Sequence, residues 1–202
     1  LSRFGDYRGG EMITVRTWDV GGDKPLPFLA QAKEDNPFLG ERGVRSMPRV
    51  PELFREQLKA VLLAAAHTPT RVMFPMVTEP EELVWAKSQL DLARQELGVD
   101  TQIEVGMMVE VPAAALRIDE FVPLVDFVSI GTNDLTQYTT ASDRTNAAVA
   151  HLAKSSSPGI LKLIQMTCEG MGEKPVAVCG DLASDPTMTK TLVELGVREL
   201  SV

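Results

Sequence analysis

The sequence contains few of the residues that build covalently stapled or histidine-rich metal scaffolds. Its 202 residues include two cysteines, Cys168 and Cys179, and two histidines, His67 and His151. Two cysteines cannot form a disulfide framework, and they are not in C-x-x-C spacing, so the sequence suggests neither a disulfide-rich secreted scaffold nor a zinc site. The two histidines leave little room for a histidine-based metal centre.

Long apolar runs and an excess of basic charge are also missing. No stretch of about 18 uncharged apolar residues is present, and residues 1–10 lack the order of a secretory signal. We therefore predict a soluble, cytoplasmic protein with no membrane contact. The net charge of -8 argues against nucleic acid as a partner, because phosphate-backbone binding needs clustered Lys and Arg. A hydrophobic content of 44% is still enough for a substantial core.

Short, β-branched, apolar segments alternate with amphipathic ones along the chain. The former predict six strands, at Ile13–Trp18, Arg71–Val77, Ile103–Val111, Phe127–Gly131, Val176–Cys179 and Glu199–Val202. Apolar residues at three-to-four spacing and terminal Pro or Gly predict four helices, at Pro51–His67, Glu79–Leu97, Pro158–Met171 and Pro186–Leu195.

This alternation is typical of a parallel sheet whose helices form right-handed crossovers. In a (β/α)8 barrel, chemical groups from several strand ends meet at one face, and several of these strands end in polar residues. We predict an incomplete TIM-type barrel with about six of eight strands, as one partial domain over residues 1–202. About two βα units before this segment and a covering helix after it are expected to be missing.

Two carboxylates lie at the ends of two consecutive predicted strands. Glu110 comes at the end of an apolar strand, and Asp134 follows Gly131 at the end of the next strand. Oxygen ligands on adjacent strand ends suit Mg²⁺, which takes one or two carboxylates and completes its shell with substrate oxygens and water. The alternative is a helix N-cap at Asp134 and a surface carboxylate at Glu110.

Arginines near strand and loop ends indicate an anion site. Arg16 closes a strand, and Arg144 lies ten residues beyond Asp134, where it can fold back over the same face. Arginine binds carboxylate and phosphate through two parallel N–H bonds, although isolated arginines more often form surface ion pairs. Arg42 and Arg45 extend this cationic set, or else form a solvated helical face. The Gly-Gly turn before Lys24 permits a close phosphate approach but is a weak motif.

The two cysteines have different contexts. Cys179 ends a predicted strand beside Gly180, so its thiol is a candidate for proton exchange in the site. Cys168 lies on the apolar face of the predicted Pro158–Met171 helix and is expected to pack in the core. Met107 and Met108 are likewise expected to be core or pocket wall.

Taken together, six motifs resemble the phosphoenolpyruvate-utilising enzymes over essentially the whole chain. They occur in order as VRTWDVGGDK (residues 15–24), NPFLG (36–40), MFPM (73–76), MVEVP (108–112), SIGTNDLTQY (129–138) and CGDLA (179–183). Within the family, the branch that phosphorylates a protein histidine in the bacterial sugar phosphotransferase system is most similar. The resemblance implies the phosphoenolpyruvate-binding barrel, which in this family is a dimer-forming domain.

The resemblance also implies a role for each site residue. Arg16 and Arg144 would bind phosphoenolpyruvate together with Asn133 and the backbone at Asp134, while Lys24 and Arg42 would line the phosphate side. Glu110 and Asp134 would bind Mg²⁺. Cys179 would protonate the enolate to release pyruvate, and the phosphoryl group would pass through a histidine to a small phosphocarrier protein.

The sequence departs from the family pattern in several places. The phosphorylated histidine of the family lies on a separate swivelling domain, and neither His67 nor His151 has its motif, so this segment is not expected to complete the transfer alone. An arginine from an earlier strand is missing, Asp181 replaces a usual glutamate, and Glu41 replaces a usual aromatic residue. The alternatives are a pyruvate, phosphate dikinase or phosphoenolpyruvate synthase barrel, and a non-catalytic metabolite-binding or dimerisation module.

Overall fold

A computed structural model of the chain describes residues 11–21 and 33–202. Its six strands follow one another in the sheet in sequence order, and the pairs β1–β2, β4–β5 and β5–β6 are parallel. The strands are β1 (Ile13–Arg16), β2 (Thr70–Phe74), β3 (Val105–Val109), β4 (Phe127–Gly131), β5 (Val176–Cys179) and β6 (Glu199–Ser201). The predicted number and order of strands are confirmed, and β4 and β5 have the predicted bounds.

Helices follow most of these strands. They are α1 (Pro51–Ala65), α2 (Pro80–Leu97), α3 (Pro112–Leu116), α4 (Ile118–Phe121), α5 (Thr132–Thr140), α6 (Pro158–Met171) and α7 (Thr189–Glu194). Short 3₁₀ segments occur at Pro37–Leu39, Gly43–Arg49, Val122–Leu124 and Ala150–Leu152. Proline stands in the first turn of α1, α2 and α6, where its missing N–H has no helical partner to lose. Within the described residues, no helix is long and apolar enough to span a membrane.

Helices α3, α4 and α5 were not predicted, and α7 begins later than predicted. Helix α5 follows β4 directly. It was not predicted because its four threonines have weak helix propensity, but burial of Leu135 favours the helix. Helix α7 begins at Thr189, three residues later than predicted. Asp185 accepts hydrogen bonds from the backbone and hydroxyl of Thr187, which closes a turn instead of starting the helix.

The described chain divides into two compact units, residues 1–106 and 107–202. In the first unit, the core between α1, α2 and the sheet is aromatic. The ring of Phe54 stacks on Trp85 with centroids 5.6 Å apart and meets Phe74 edge-on at 6.0 Å. Such pairs add to the stabilisation that burial of the rings provides.

In the second unit, α6 buries an apolar stripe that contains Cys168. Ile160 and Ile164 are fully buried, and Cys168 is buried beside them, so the predicted core role of this cysteine is confirmed. Burial raises the pKa of the Cys168 thiol to about 11 because the thiolate would lose its hydration. Cys168 is therefore a protonated and weakly nucleophilic thiol at neutral pH.

Candidate functional site

The second unit places the Glu110 carboxylate at the end of β4. Glu110 directly follows β3 and is only 1% exposed. A Cβ atom at Gly131, the last residue of β4, would lie 2.7 Å from Glu110 Oε2 and 2.9 Å from Met108 Cε. Gly131 therefore has no side chain where the Glu110 carboxylate lies, and Met108 forms part of the same wall.

Asp134 is presented at the same point of the fold by the first turn of α5. Gly131 occupies the N-cap position, so Asp134 is the third residue of the helix and not its N-cap. Its side chain is buried. A carboxylate in the first turn is favoured by the partial positive charge of the helix N-terminus. Two buried carboxylates thus lie where β3 and β4 end, as the sequence predicts.

Arg144 returns to this helix after a sharp reversal of the chain. Ala141 ends α5 in the left-handed conformation, and the backbone N–H of Arg144 donates to Gln137 Oε1 over 3.0 Å. The Arg144 Nη1 atom consequently lies 3.1 Å from Asp134 Oδ1. The predicted return of Arg144 to the Asp134 face is confirmed, although its role as a substrate ligand stays a prediction.

Cys179 and Asn133 lie across the ends of β4 and β5. Cys179 pairs with Gly131 in the strand register, is partly exposed, and its Sγ donates to the Ile130 carbonyl over 3.5 Å. Asn133 Oδ1 accepts the backbone N–H of Asp181 over 3.1 Å. Because this oxygen accepts a bond from the protein, the amide group of Asn133 is held in one orientation, with its N–H₂ available as a donor.

Five of the predicted site residues of the second unit lie at the ends of β3, β4 and β5 or contact the start of α5. They are Glu110, Asn133, Asp134, Arg144 and Cys179. The set combines carboxylates for a hard cation, donors for an anion, and a thiol that can exchange a proton. Sequence reasoning noted Gly131 and Gly180 at the two strand ends, but it did not assign either glycine or Thr132 a part in shaping this site.

In the first unit, Arg16 and Arg42 meet at the same aspartate. Arg16 ends β1 with 39% of its side chain exposed, and its Nη1 lies 3.4 Å from Asp19 Oδ2. Arg42 has no exposed surface, and its Nε and Nη2 donate to the two Asp19 oxygens over 3.1 and 2.7 Å. Arg16 as a substrate ligand stays a prediction. Arg42 as a phosphate-lining residue also stays a prediction, but its guanidinium is held by Asp19.

Arg45, another predicted cation of the first unit, has other partners. Arg45 donates to Thr78 Oγ1 over 2.6 Å and lies 4.0 Å from Glu82, so it ties the 3₁₀ segment to the start of α2. Lys24 lies outside the described residues, as do its neighbours Gly22 and Asp23.

We expect the buried Arg42–Asp19 pair to stabilise the folded protein. Replacing Arg42 with Met leaves a buried carboxylate short of its bidentate partner, and we expect a loss of about 3–5 kcal/mol in the free energy of unfolding. The matched control is Arg49→Met, which breaks the ion pair with Glu41 at a half-exposed site and should cost less than about 1 kcal/mol. Urea unfolding of both variants measures the difference, and equal costs would contradict the structural role of Arg42.

The two carboxylates are oxygen donors of the kind that Mg²⁺ takes from proteins. Among residues 11–21 and 33–202, no group of three or more His, Cys, Asp and Glu side chains is arranged to hold a metal. Two carboxylates, completed by substrate oxygens and water, are the usual provision for Mg²⁺. The room that Gly131 leaves for Glu110 supports this arrangement.

Gly131→Ala should disturb that arrangement directly. The added methyl would lie 2.7 Å from Glu110 Oε2, so the carboxylate must move. We expect any divalent-cation affinity of the site to fall by at least about tenfold, as for loss of a metal-positioning contact. The control is Gly159→Ala in α6, where a Cβ meets nothing within 4 Å. Titration with Mn²⁺ followed by electron paramagnetic resonance compares the two; unchanged affinity in Gly131→Ala would contradict this geometry.

Known proteins match this sequence along almost its whole length. The family model described as "PEP-utilising enzyme, PEP-binding domain" matches residues 6–202. The chain is 46% identical over 204 residues to phosphoenolpyruvate-protein phosphotransferase of Geobacillus stearothermophilus, covering 98% of this chain and 35% of that protein. It is 45% identical over 195 residues to the multiphosphoryl transfer protein of Rhodobacter capsulatus, covering 96% of this chain and 24% of that protein. The chain thus spans about a third or less of these relatives.

Solved structures share the fold. An HpcH/HpaI aldolase from Desulfitobacterium hafniense superimposes with a TM-score of 0.53 at 12% identity, covering 98% of this chain and 78% of the aldolase. A citrate lyase from Burkholderia xenovorans LB400 gives a TM-score of 0.55 at 18% identity, covering 72% of this chain and 48% of the lyase. These likenesses and the six ordered strands confirm the predicted fold class, an incomplete (β/α)8-type barrel.

Proposed function

This chain belongs to the family of phosphoenolpyruvate-utilising enzymes, and we propose that it is the phosphoenolpyruvate-binding part of a phosphotransferase that phosphorylates a protein histidine. The observation that carries the proposal is the cluster in the second unit. Two buried carboxylates, an arginine, an asparagine and a cysteine arrive there from the ends of three successive strands. The matched relatives are named as phosphotransferases, which favours this function over a dikinase, a synthase or a non-catalytic module.

Substrate binding is assigned to the donors of the cluster. Arg144 and the Asn133 amide would bind the anionic groups of phosphoenolpyruvate. The resemblance of the sequence to the family also assigns Arg16 and Lys24 to this ligand. Arginine suits a ligand that carries both carboxylate and phosphate because its guanidinium donates two parallel bonds to either group. On binding, Arg144 would exchange part of its contact with Asp134 for the substrate.

Glu110 and Asp134 would hold Mg²⁺, since both are buried carboxylates at the ends of adjacent strands and carboxylate oxygens are ligands that this ion prefers. When bound, Mg²⁺ would offset negative charge on the phosphoryl and enolate oxygens. The protein residues then position the substrate and exclude water around it.

In the proposed reaction, the bond between phosphorus and the enol oxygen breaks as a histidine nitrogen in the remainder of the protein bonds to phosphorus. The enolate that remains takes a proton at its methylene carbon from the Cys179 thiol, giving pyruvate and a thiolate. Solvent then returns a proton to the sulfur. Cys179 is suited to this role because it is partly exposed at the end of β5, and the following residue, Gly180, packs against Asn133.

Further parts of the proposal concern the complete protein. We place it in the cytoplasm as a homodimer formed through this domain, passing the phosphoryl group to a small phosphocarrier protein that serves sugar uptake. These parts depend on the resemblance of the sequence to the family. The relative named multiphosphoryl transfer protein is consistent with onward phosphoryl transfer.

The test uses the full-length protein with phosphoenolpyruvate and Mg²⁺ but no nucleotide. We expect one phosphohistidine per chain by mass spectrometry and an equal amount of pyruvate, followed by transfer to an added phosphocarrier protein. A requirement for nucleotide and inorganic phosphate would instead favour a dikinase. Absence of both phosphoprotein and binding would overturn the proposal.

A further inference from the structure

Three hydrogen bonds outside the strand ladder connect the end of β4 and the start of α5 to the end of β5. The Thr132 hydroxyl donates to the Cys179 carbonyl over 2.8 Å, and the Cys179 thiol donates to the Ile130 carbonyl over 3.5 Å. The backbone N–H of Asp181 donates to Asn133 Oδ1 over 3.1 Å. Residues that are 47 to 49 positions apart in the sequence are thereby joined on both sides of Cys179.

Gly180 makes this arrangement sterically possible. Its φ of +93° lies in a region that residues with a side chain rarely adopt. A Cβ atom there would lie 2.7 Å from Thr132 Oγ1 and 2.8 Å from Asn133 Oδ1. The two α5 side chains therefore pack directly over the backbone that follows Cys179.

The Thr132 hydroxyl has a partner within the protein. It is fully buried, and its hydroxyl is used in the bond to the Cys179 carbonyl. The β4–β5 register ends at the pair Gly131 and Cys179, so the Thr132 bond continues the connection one residue beyond the ladder. Without it, the carbonyl of Cys179 would lose this donor, and the end of β5 would be held less firmly against α5.

We propose that Thr132 is a positioning residue for Cys179: its hydroxyl fixes the end of β5, and with it the direction of the thiol, relative to the helix turn that carries Asn133 and Asp134. The proposal deepens the function proposed above and rests on it for its catalytic meaning. Its geometric content is independent of that function. A thiol that must deliver a proton to one carbon needs such a fixed direction.

Alkylation of Cys179 by iodoacetamide tests the positioning in the full-length protein, with peptide mass spectrometry reading each cysteine separately. Thr132→Val keeps the volume and removes the donor, and we expect Cys179 to react about threefold to tenfold faster, the range that loss of one hydrogen bond allows. Thr132→Ser restores the donor and should react at nearly the wild-type rate. Buried Cys168 is the internal reference for global opening.

Thr140→Val is the matched control, because the Thr140 hydroxyl also donates to a backbone carbonyl over 2.8 Å in the same helix. It should leave the Cys179 rate unchanged. An unchanged rate in Thr132→Val, or equal acceleration in the Thr132 and Thr140 variants, would overturn the proposal. So would faster labelling of Cys168 in parallel with Cys179.

A kinetic readout then connects the contact with catalysis. Thr132→Val should lower kcat for pyruvate formation by about threefold to tenfold while KM for phosphoenolpyruvate changes less than about twofold. A rise in KM at constant kcat would overturn a role through Cys179. Failure of the proposed function would give a different result: phosphoenolpyruvate and Mg²⁺ would not slow the alkylation of Cys179 in the wild-type protein.

Discussion

Cys179→Ala should retain phosphoenolpyruvate binding and lose most pyruvate formation. A positioned general acid contributes about 10²–10⁴ in rate, so we expect turnover of the full-length protein to fall by at least about a hundredfold. The dissociation constant for phosphoenolpyruvate should change less than about twofold, because the expected anion ligands are Arg16, Asn133 and Arg144. Rapid-quench measurement of pyruvate and calorimetric titration give the two quantities on the same preparation.

Cys168→Ala is the control for this experiment. Both cysteines become alanine, but Cys168 is buried in the packing of α6 and lies outside the site cluster. We expect a loss of stability, visible in thermal unfolding, and a turnover close to wild type. Full turnover in Cys179→Ala would reject the proton-donor role, and equal losses in the two variants would mean that turnover reports packing only.

The second large effect is expected for Glu110→Gln. The amide has nearly the same shape as the carboxylate but carries no charge, so it is a poor ligand for Mg²⁺. We expect Mg²⁺-dependent binding of phosphoenolpyruvate to weaken by about a hundredfold, or about 2.7 kcal/mol at 1.36 kcal/mol for each factor of ten. The folded structure should persist, since removing charge from a side chain that is only 1% exposed lowers its desolvation cost.

Glu104→Gln is the matched control, because Glu104 is exposed just before the same strand. Calorimetry at several Mg²⁺ concentrations separates metal dependence from general damage. The control should show the wild-type response. A wild-type response in Glu110→Gln would remove Glu110 from the metal site.

The local sequence pattern was sufficient to predict the site residues that lie at the ends of strands. The apolar run before Gly131 defines β4, and the next polar residues define where Asp134 is presented. Glu110 was identifiable because a carboxylate interrupts an apolar segment, and burial of that carboxylate is what the structure shows. The return of Arg144 to Asp134 was also within reach, since ten residues are enough for one helix and a reversal.

Contacts between distant segments could not be read in the same way. The family resemblance assigned Arg42 to the phosphate, and its charge alone left a cationic wall or a solvated helical face open. Whether a guanidinium meets a ligand or a protein carboxylate depends on packing with Asp19, 23 positions away. The bond from Thr132 to Cys179 spans 47 positions and depends on the strand register. Helix α5 escaped prediction because tertiary packing outweighs the weak propensity of its threonines.

The most direct measurement is a diffraction structure of the full-length protein with phosphoenolpyruvate and Mn²⁺, whose anomalous scattering locates the ion. We predict one peak per chain, coordinated at about 2.1–2.2 Å by oxygens of both Glu110 and Asp134 and by the substrate. A peak that contacts neither carboxylate, or only one of them, would contradict a shared metal site at the ends of β3 and β4.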